Sequence, residues 1–370
     1  MIGIIDADLA SRKKHRFPNL ALMKISGYCK NNGYDTALIV DPENADLESF
    51  EKIYISKVFT DTYISPEILQ LQNVEYGGTG FFYDKAEKLP EHIEHHMPDY
   101  DLYSSWVSSE LLLGKKKLEY KYYTDYSIGF TTRGCFRRCE FCVNKNYTKV
   151  SLHSNLSEFI KEDRKNICLL DDNILGYSKC ASIFAELHAT NKRFKYKQGM
   201  DLRLMTEEKA ETLIQSKYIG DYTFAFDNIN DLDIIEKKLR LWRYHSKHRT
   251  QATKLYVFCG FDRDDKWNAS FWDYDIVTVF QRIKLLMKYG CLPYIMRFNR
   301  YEESPYRGMY INLARWCNQP SFLKKKSFRE YCIINGEKSA TMRYLVEYEK
   351  SHPEVAREFF DIKFDGLNKY

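Results

Sequence analysis

The sequence predicts an α/β protein: a partial (β/α)6 TIM-type barrel preceded by a small Rossmann-like α/β domain. Three observations carry that expectation. From Tyr126 onward, short apolar runs recur at intervals of roughly 25 to 40 residues, with helical segments between most of them. The first ~60 residues read strand, helix, strand, strand, as a small parallel sheet does. Polar residues cluster just after the apolar runs, where a parallel barrel places its chemistry.

The elements follow in order. "IGIID" is a strand that ends in acidic residues, and "PNLALMKISGYCKNNG" follows with Leu20, Met23, Ile25 and Tyr28 near helical spacing. Gly33 is its natural stop. "YDTALIVD" and "KIYISKVF" are two further strands, and the Gly-rich "YGGTGFF" reads as a turn, because it lacks the strand-to-helix context of a dinucleotide fingerprint. Residues 1–83 form this first domain, and 84–124 read as a connector. Within the connector, His92 and His96 would share a helix face, but no cysteine lies nearby and Pro98 ends any helix, so they read as surface histidines. "YSIGFTT", "NICLLDD", "FKYKQGM", "YTFAFD", "KLYVFCGF" and "CLPYIM" are the six barrel strands within 125–300. "SKCASIFAELHAT", "TEEKAETLIQSK", "DLDIIEKKLRLWRYH" and "YDIVTVFQRIKLLMKYG" are the amphipathic helices between them. Residues 301–370, rich in Arg, Lys and aromatics, read as a helical extension.

Composition narrows the class. At 370 residues the chain supports two domains and a sizeable core. No apolar run approaches the ~18 residues that span a bilayer, and the N-terminal apolar run is broken by Asp6 and Asp8, unlike a signal peptide. No membrane partner is expected, and the cytoplasm is the expected compartment. The net charge of +5 is mildly basic, and the lysine runs Lys115–Lys117 and Lys324–Lys326 read first as solvated faces. The 29 tyrosines serve a large core or stack on bases, so nucleic acid stays open as a partner.

Ten cysteines in a reducing compartment are thiols or metal ligands. Seven stand singly and read as small buried hydrophobes. Cys135, Cys139 and Cys142 differ: their C-x3-C-x2-C spacing within "TTRGCFRRCEFCVNK" arises by chance in roughly one such chain in a hundred. Thiolates hold zinc, copper(I) or iron–sulfur clusters. A structural zinc site needs four ligands, and no second C-x2-C exists; His153 would have to complete a Cys3His set. Three cysteines on a cubane cluster leave one iron open to a small molecule. Both metals fit the spacing.

With Phe141 before the last cysteine, the triplet resembles the C-x3-C-x-Φ-C motif of the radical S-adenosylmethionine superfamily. "LLDDNILG" resembles that family's second-strand motif, and "QGMDLRLMTEEKAETL" resembles the third-strand segment of members that carry a cobalamin-type N-terminal domain or transfer methylthio groups. "FAFDN" stands where those relatives carry a glycine and a glutamate, and "YVFCGF" and "YIMRF" fit the strands that pack on adenine. The resemblance covers roughly Tyr126 to Asn299. "FPNLALMKISGY", "GGTGF", "LPEHIEH" and "LARWCN" further resemble an uncharacterised group of such proteins common in bacteria and their phages. The N-terminal unit is similar to a cobalamin-binding domain but lacks D-x-H-x-x-G, so no cobalamin is expected.

The resemblance implies a [4Fe-4S] cluster on Cys135, Cys139 and Cys142, with S-adenosylmethionine on the open iron and an electron donor such as flavodoxin or ferredoxin. Reductive cleavage would give methionine and a 5′-deoxyadenosyl radical, which acts on an unidentified substrate, nucleic acid, nucleoside or peptide. It implies Phe141 beside the cofactor and Asp171, Asp172 and Asn173 as acceptors for the methionine amine. Arg203 would pair with the carboxylate and Asp227 with the ribose hydroxyls. No catalytic hydrogen donor or acid/base residue is assigned. The alternatives are a zinc-stabilised nucleic-acid-binding module without catalysis, and a methylthiotransferase-like tRNA-modifying enzyme. The latter would use three further upstream cysteines, where only Cys29 stands.

Overall fold

The computed structural model describes residues 1–364. The chain divides into two compact units: Met1–Asp171 with Glu186–Lys195, and Asp172–Ala185 with Tyr196–Tyr370.

The first unit opens with a four-stranded sheet of β1 (Ile2–Asp6), β2 (Thr36–Leu38), β3 (Lys52–Ser56) and β4 (Val74–Gly77), in the order β2-β1-β3-β4. Every pairing is parallel, as the strand–helix–strand pattern predicts. The helix Leu20–Asn31 starts where the Asn19 side chain accepts from the Leu22 amide, and it ends just before Gly33 at φ +84°. β1 is buried along its whole length. Ile2 and Ile4 pack with Leu22 and Met23, while Ile5 packs on the other face with Ile53, Ile55 and Ile68.

Two details differ from the sequence reading. "VEYG" is a fourth strand, and the turn beyond it contains a one-turn helix, Thr79–Phe82. An edge strand of four half-exposed residues, with a single Val–Glu–Tyr alternation, is too short for a period to reveal it. The stretch 84–124 is also a packing layer: Tyr100, Leu102, Tyr103, Val107, Tyr120 and Tyr123 are buried in the same cluster as Leu22 and Met23. Its helix Ser104–Leu112 has no continuous apolar face, and aromatic rings make the contact, Trp106 against Tyr120 and Tyr123. His92 and His96 pack on the Tyr28 ring.

The rest of the first unit holds β5 (Tyr126–Gly129), the short antiparallel pair β6 (Thr132–Arg133) and β7 (Ser151–Leu152), and β8 (Asn166–Leu169). β5 and β8 run parallel in a three-stranded sheet of order β5-β8-β9, where β9 is Arg193–Tyr196.

The second unit is built on β10 (Tyr222–Ala225), β11 (Thr253–Cys259) and β12 (Leu292–Arg297), a parallel sheet in that order. One isolated parallel bridge joins Met200 to Phe224. Helix Glu207–Gln215 is capped by Thr206, which accepts from the Lys209 amide. Helix Ala269–Lys288 buries one stripe and stops before Gly290; it begins five residues ahead of the predicted Tyr274, where the Asn268 side chain accepts from the Phe271 amide. The extension is helical over its described residues, with Arg307–Cys317, Phe328–Ile334, Ala340–Ser351 and Pro353–Phe359; residues 365–370 of the predicted extension lie outside the described residues. Phe280 anchors it against the rings of Phe328, Phe359 and Phe360. The six strands predicted within 125–300 thus lie in two three-stranded sheets of an α/β protein. No helix among the described residues is long and apolar enough to cross a membrane.

Candidate functional site

The cysteine loop runs from β6 to β7 in the first unit. Gly134 opens it at φ +95°, and a Cβ there would sit 2.4 Å from the Lys149 carbonyl oxygen, so no other residue fits. Arg138, between the first two cysteines, is left-handed at φ +51° and tightens the turn. The Cys142 amide donates to the Cys139 carbonyl at 2.9 Å. Two sulfurs receive backbone donors: Arg137 N–H to Cys135 Sγ at 3.5 Å and Asn144 N–H to Cys142 Sγ at 3.4 Å. Donors of this kind orient a sulfur and tune a metal bound to it.

Burial separates these cysteines from the others. All ten are free thiols; the seven single ones are buried, whereas Cys135, Cys139 and Cys142 are half-exposed. Among the described residues, no three His, Cys, Asp or Glu side chains converge on one metal position. The chemistry of the donor set, three accessible soft thiols on one loop, nevertheless fits a cluster with an open iron.

Two anchors hold the loop. The carboxylate of Asp171 accepts four hydrogen bonds at the turn that leads into it. They come from Thr131 N (3.1 Å), Thr131 Oγ1 (2.5 Å), Thr132 N (2.6 Å) and Thr132 Oγ1 (2.7 Å). Burial raises the Asp171 pKa, and the donors oppose that rise. On the other side, Tyr83 Oη donates to the Phe141 carbonyl at 2.5 Å, Lys145 pairs with Asp84 at 3.1 Å, and Asn146 donates to the Asp84 carbonyl. Tyr83 and Asp84 lie shortly after β4; nothing in their local sequence marks them, since the Tyr83 contact joins residues 58 apart.

His153, which a Cys3His zinc site would need, is engaged elsewhere. Its Nε2 lies 2.9 Å from Glu94 Oε1, and Lys24 pairs with the same oxygen at 2.9 Å. Burial alone would raise Glu94, but the His153 hydrogen bond and the Lys24 and Arg133 charges bring it down to about 2.

The remaining predicted residues lie in the second unit. Asp172 is half-buried and Asn173 is buried, both just before the turn Ile174–Gly176. Arg203 Nε donates to Asp201 Oδ1 at 2.7 Å and Nη1 to Asp231 Oδ2 at 2.6 Å, so two carboxylates already hold this guanidinium. Asp227 follows β10 and accepts from the Phe258 amide at 3.1 Å. Burial pushes it up to about 6, with the Arg282 and Arg203 charges opposing. The structure therefore brings Arg203 within electrostatic reach of Asp227.

Sequence reasoning missed Arg282. It is 2% exposed, and its Nη1 donates to the carbonyls of Asp227 (2.9 Å) and Phe258 (2.8 Å) at the C-terminal ends of β10 and β11. Asp275, on the same helix, accepts from Gly260 N and Tyr310 Oη, both at 2.7 Å. The signal was present: two charges seven residues apart interrupt an otherwise apolar stripe.

No protein-family model matches the chain, and no curated protein matches it in sequence. A solved structure described as an apo, selenomethionine-labelled cobalamin-dependent S-adenosylmethionine radical enzyme, OxsB, is similar at 12% identity and a TM-score of 0.36. The match covers 97% of this chain and 56% of that one, so the chain spans about half of that protein's length. At that level the likeness decides neither fold nor function.

Proposed function

We propose that this protein is a radical S-adenosylmethionine enzyme whose cluster is held by Cys135, Cys139 and Cys142. One observation carries the reading: of ten free cysteines, the three in the C-x3-C-x2-C motif are the ones that are not buried. A structural role in the core explains seven thiols and leaves these unexplained. When bound, a [4Fe-4S] cluster supplies the electron that cleaves S-adenosylmethionine to methionine and a 5′-deoxyadenosyl radical.

The chain's own part is positioning. Asp171 fixes the turn into the loop through Thr131 and Thr132, and Tyr83 holds the Phe141 backbone. Arg133, Arg137 and Arg138 place positive charge along the loop, which suits an anionic cluster. Asp172 and Asn173 are the proposed acceptors for the methionine amine, next to Asp171 in the chain. Arg203 is proposed for the carboxylate; it would have to exchange a present partner, Asp201 or Asp231, for it. Asp227 is proposed for the ribose. The reading includes a partial (β/α)6 barrel over 125–300, the first domain at 1–83, a flavodoxin- or ferredoxin-type donor, and no cobalamin. Engagement of His153 by Glu94 weighs against the Cys3His zinc alternative.

Anaerobic reconstitution with iron and sulfide tests this. About four irons and four sulfides per chain are expected, with deoxyadenosine released on reduction with S-adenosylmethionine present. Each Cys→Ala change in the triplet should abolish both. Zinc bound with neither iron nor sulfide would overturn the reading.

A further inference from the structure

A second site lies at the end of β12, away from the cysteine motif in sequence. A cavity of about 420 Å³ opens between the end of β12 and helix Arg307–Cys317, within the size range of small-ligand sites. Arg297, Arg315 and Gln319 bring donors to its lining, which also includes Tyr301 and Ala314. An adjoining cavity of about 360 Å³ shares Arg297 and Tyr301 and adds the exposed ring of Tyr294.

Arginine supplies the charge of the lining, and the nearest carboxylate contact is Glu302, which accepts from Tyr301 Oη at 3.4 Å. Among the described residues, no acidic side chain lines either cavity. Among them too, neither Arg297 nor Arg315 has a carboxylate partner, whereas Arg300 is paired with Glu303 at 2.7 Å and Arg329 with Glu349 at 2.8 Å. The Arg297 guanidinium stacks over Tyr301, 4.3 Å from the ring centroid, which leaves its in-plane donors for another acceptor. β12 is an edge strand, but the Asn318 side chain already closes it, accepting from Ile295 N at 2.7 Å and donating to Ile295 O at 3.0 Å. Strand addition is thereby blocked at that residue, and what remains for recognition is the side-chain surface. Two guanidiniums without carboxylates, beside two tyrosine rings, match a phosphate attached to an aromatic base.

We infer that this cavity binds a nucleotide, with Arg297 and Arg315 on the phosphate and Tyr294 or Tyr301 stacked on the base. The nucleotide is either free or one unit of a single strand. Tyr294 and Arg297 belong to "YIMRF", the run that the resemblance sets beside adenine, so the test leaves S-adenosylmethionine out and includes a chain that cannot hold the cluster.

The test uses the full chain and the same chain with Cys135→Ala. Anisotropy of labelled single-stranded RNA and DNA of about twelve nucleotides is measured against salt, and calorimetry follows AMP and inorganic phosphate. Binding should survive Cys135→Ala. Arg297→Ala with Arg315→Ala should weaken it by about tenfold or more per arginine. The salt slope for a strand should fall by about 1.4, for two phosphate contacts at about 0.7 each. Arg→Lys at both positions should retain the slope and lose part of the affinity. Unchanged melting of the variants separates lost binding from lost fold. Binding of AMP identifies a free nucleotide as the source, and binding of strands alone identifies nucleic acid. Three results overturn the assignment: no binding of nucleotide or strand, binding that ignores both arginines, or weaker binding than that of a phosphopeptide.

Discussion

Replacing Asp6 with asparagine should flatten the dependence of stability on pH. Asp6 ends β1 and is 1% exposed, with Oδ2 accepting from Tyr103 Oη at 2.8 Å and Oδ1 accepting from Leu9 N at 3.2 Å. Burial pushes its pKa from 3.8 up to about 7, against the pull of the Tyr103 hydrogen bond. The sign follows from linkage. Well below the unfolded value of 3.8 the carboxyl is protonated in both folded and unfolded chains, and its contribution is fully present. As pH rises toward 7 the unfolded chain loses that proton while the folded chain keeps it, so stability falls. Above 7 the loss is complete, at about 4 kcal/mol for this displacement, of which about 3 kcal/mol lies between pH 5 and 8. The asparagine of Asp6→Asn keeps an acceptor for the Leu9 amide and carries no charge, so it mimics the protonated acid. In urea titrations, the stability of Asp6→Asn relative to the parent should rise by about 2–3 kcal/mol between pH 5 and pH 8. Identical pH dependence in both proteins would refute the reasoning, because the other buried acids are common to the two and cancel in the difference.

Two further outcomes follow from the loop anchors. Asp171→Asn turns one acceptor oxygen into a donor facing the Thr131 amide; about 2 kcal/mol should be lost, with faster amide exchange at Thr131 and Thr132. Tyr83→Phe removes one hydrogen bond to the Phe141 carbonyl; global stability should fall by about 1 kcal/mol, and a chelator should strip iron from the reconstituted loop faster.

The helices were the most legible part of the fold. "TEEKAETLIQSK" forms where its cap and period place it, whereas "YDIVTVFQRIKLLMKYG" stops at its glycine but begins five residues earlier, at Ala269 behind the Asn268 cap. Strands with strong β-branched or aromatic content were equally readable, from "IGIID" to "KLYVFCGF". Strand β4 and the layer 84–124 were not: β4 is short and half-exposed, and the layer's burial comes from partners distant in the chain. Tyr103 reaches Asp6 across 97 positions, and no local pattern records that.

At the candidate site, the sequence by itself determined the cysteine spacing and the soft-donor chemistry it permits. Spacing and residue type are local properties, written in the order of the chain. Only the tertiary structure decided which thiols stay accessible, and it placed Tyr83 and Asp171 as the loop's anchors. It also committed His153 to Glu94, Arg203 to two carboxylates and Arg282 to the strand ends. A polar side chain's role depends on which donors and acceptors folding brings within about 3 Å, and that distance is set by packing between segments far apart in sequence.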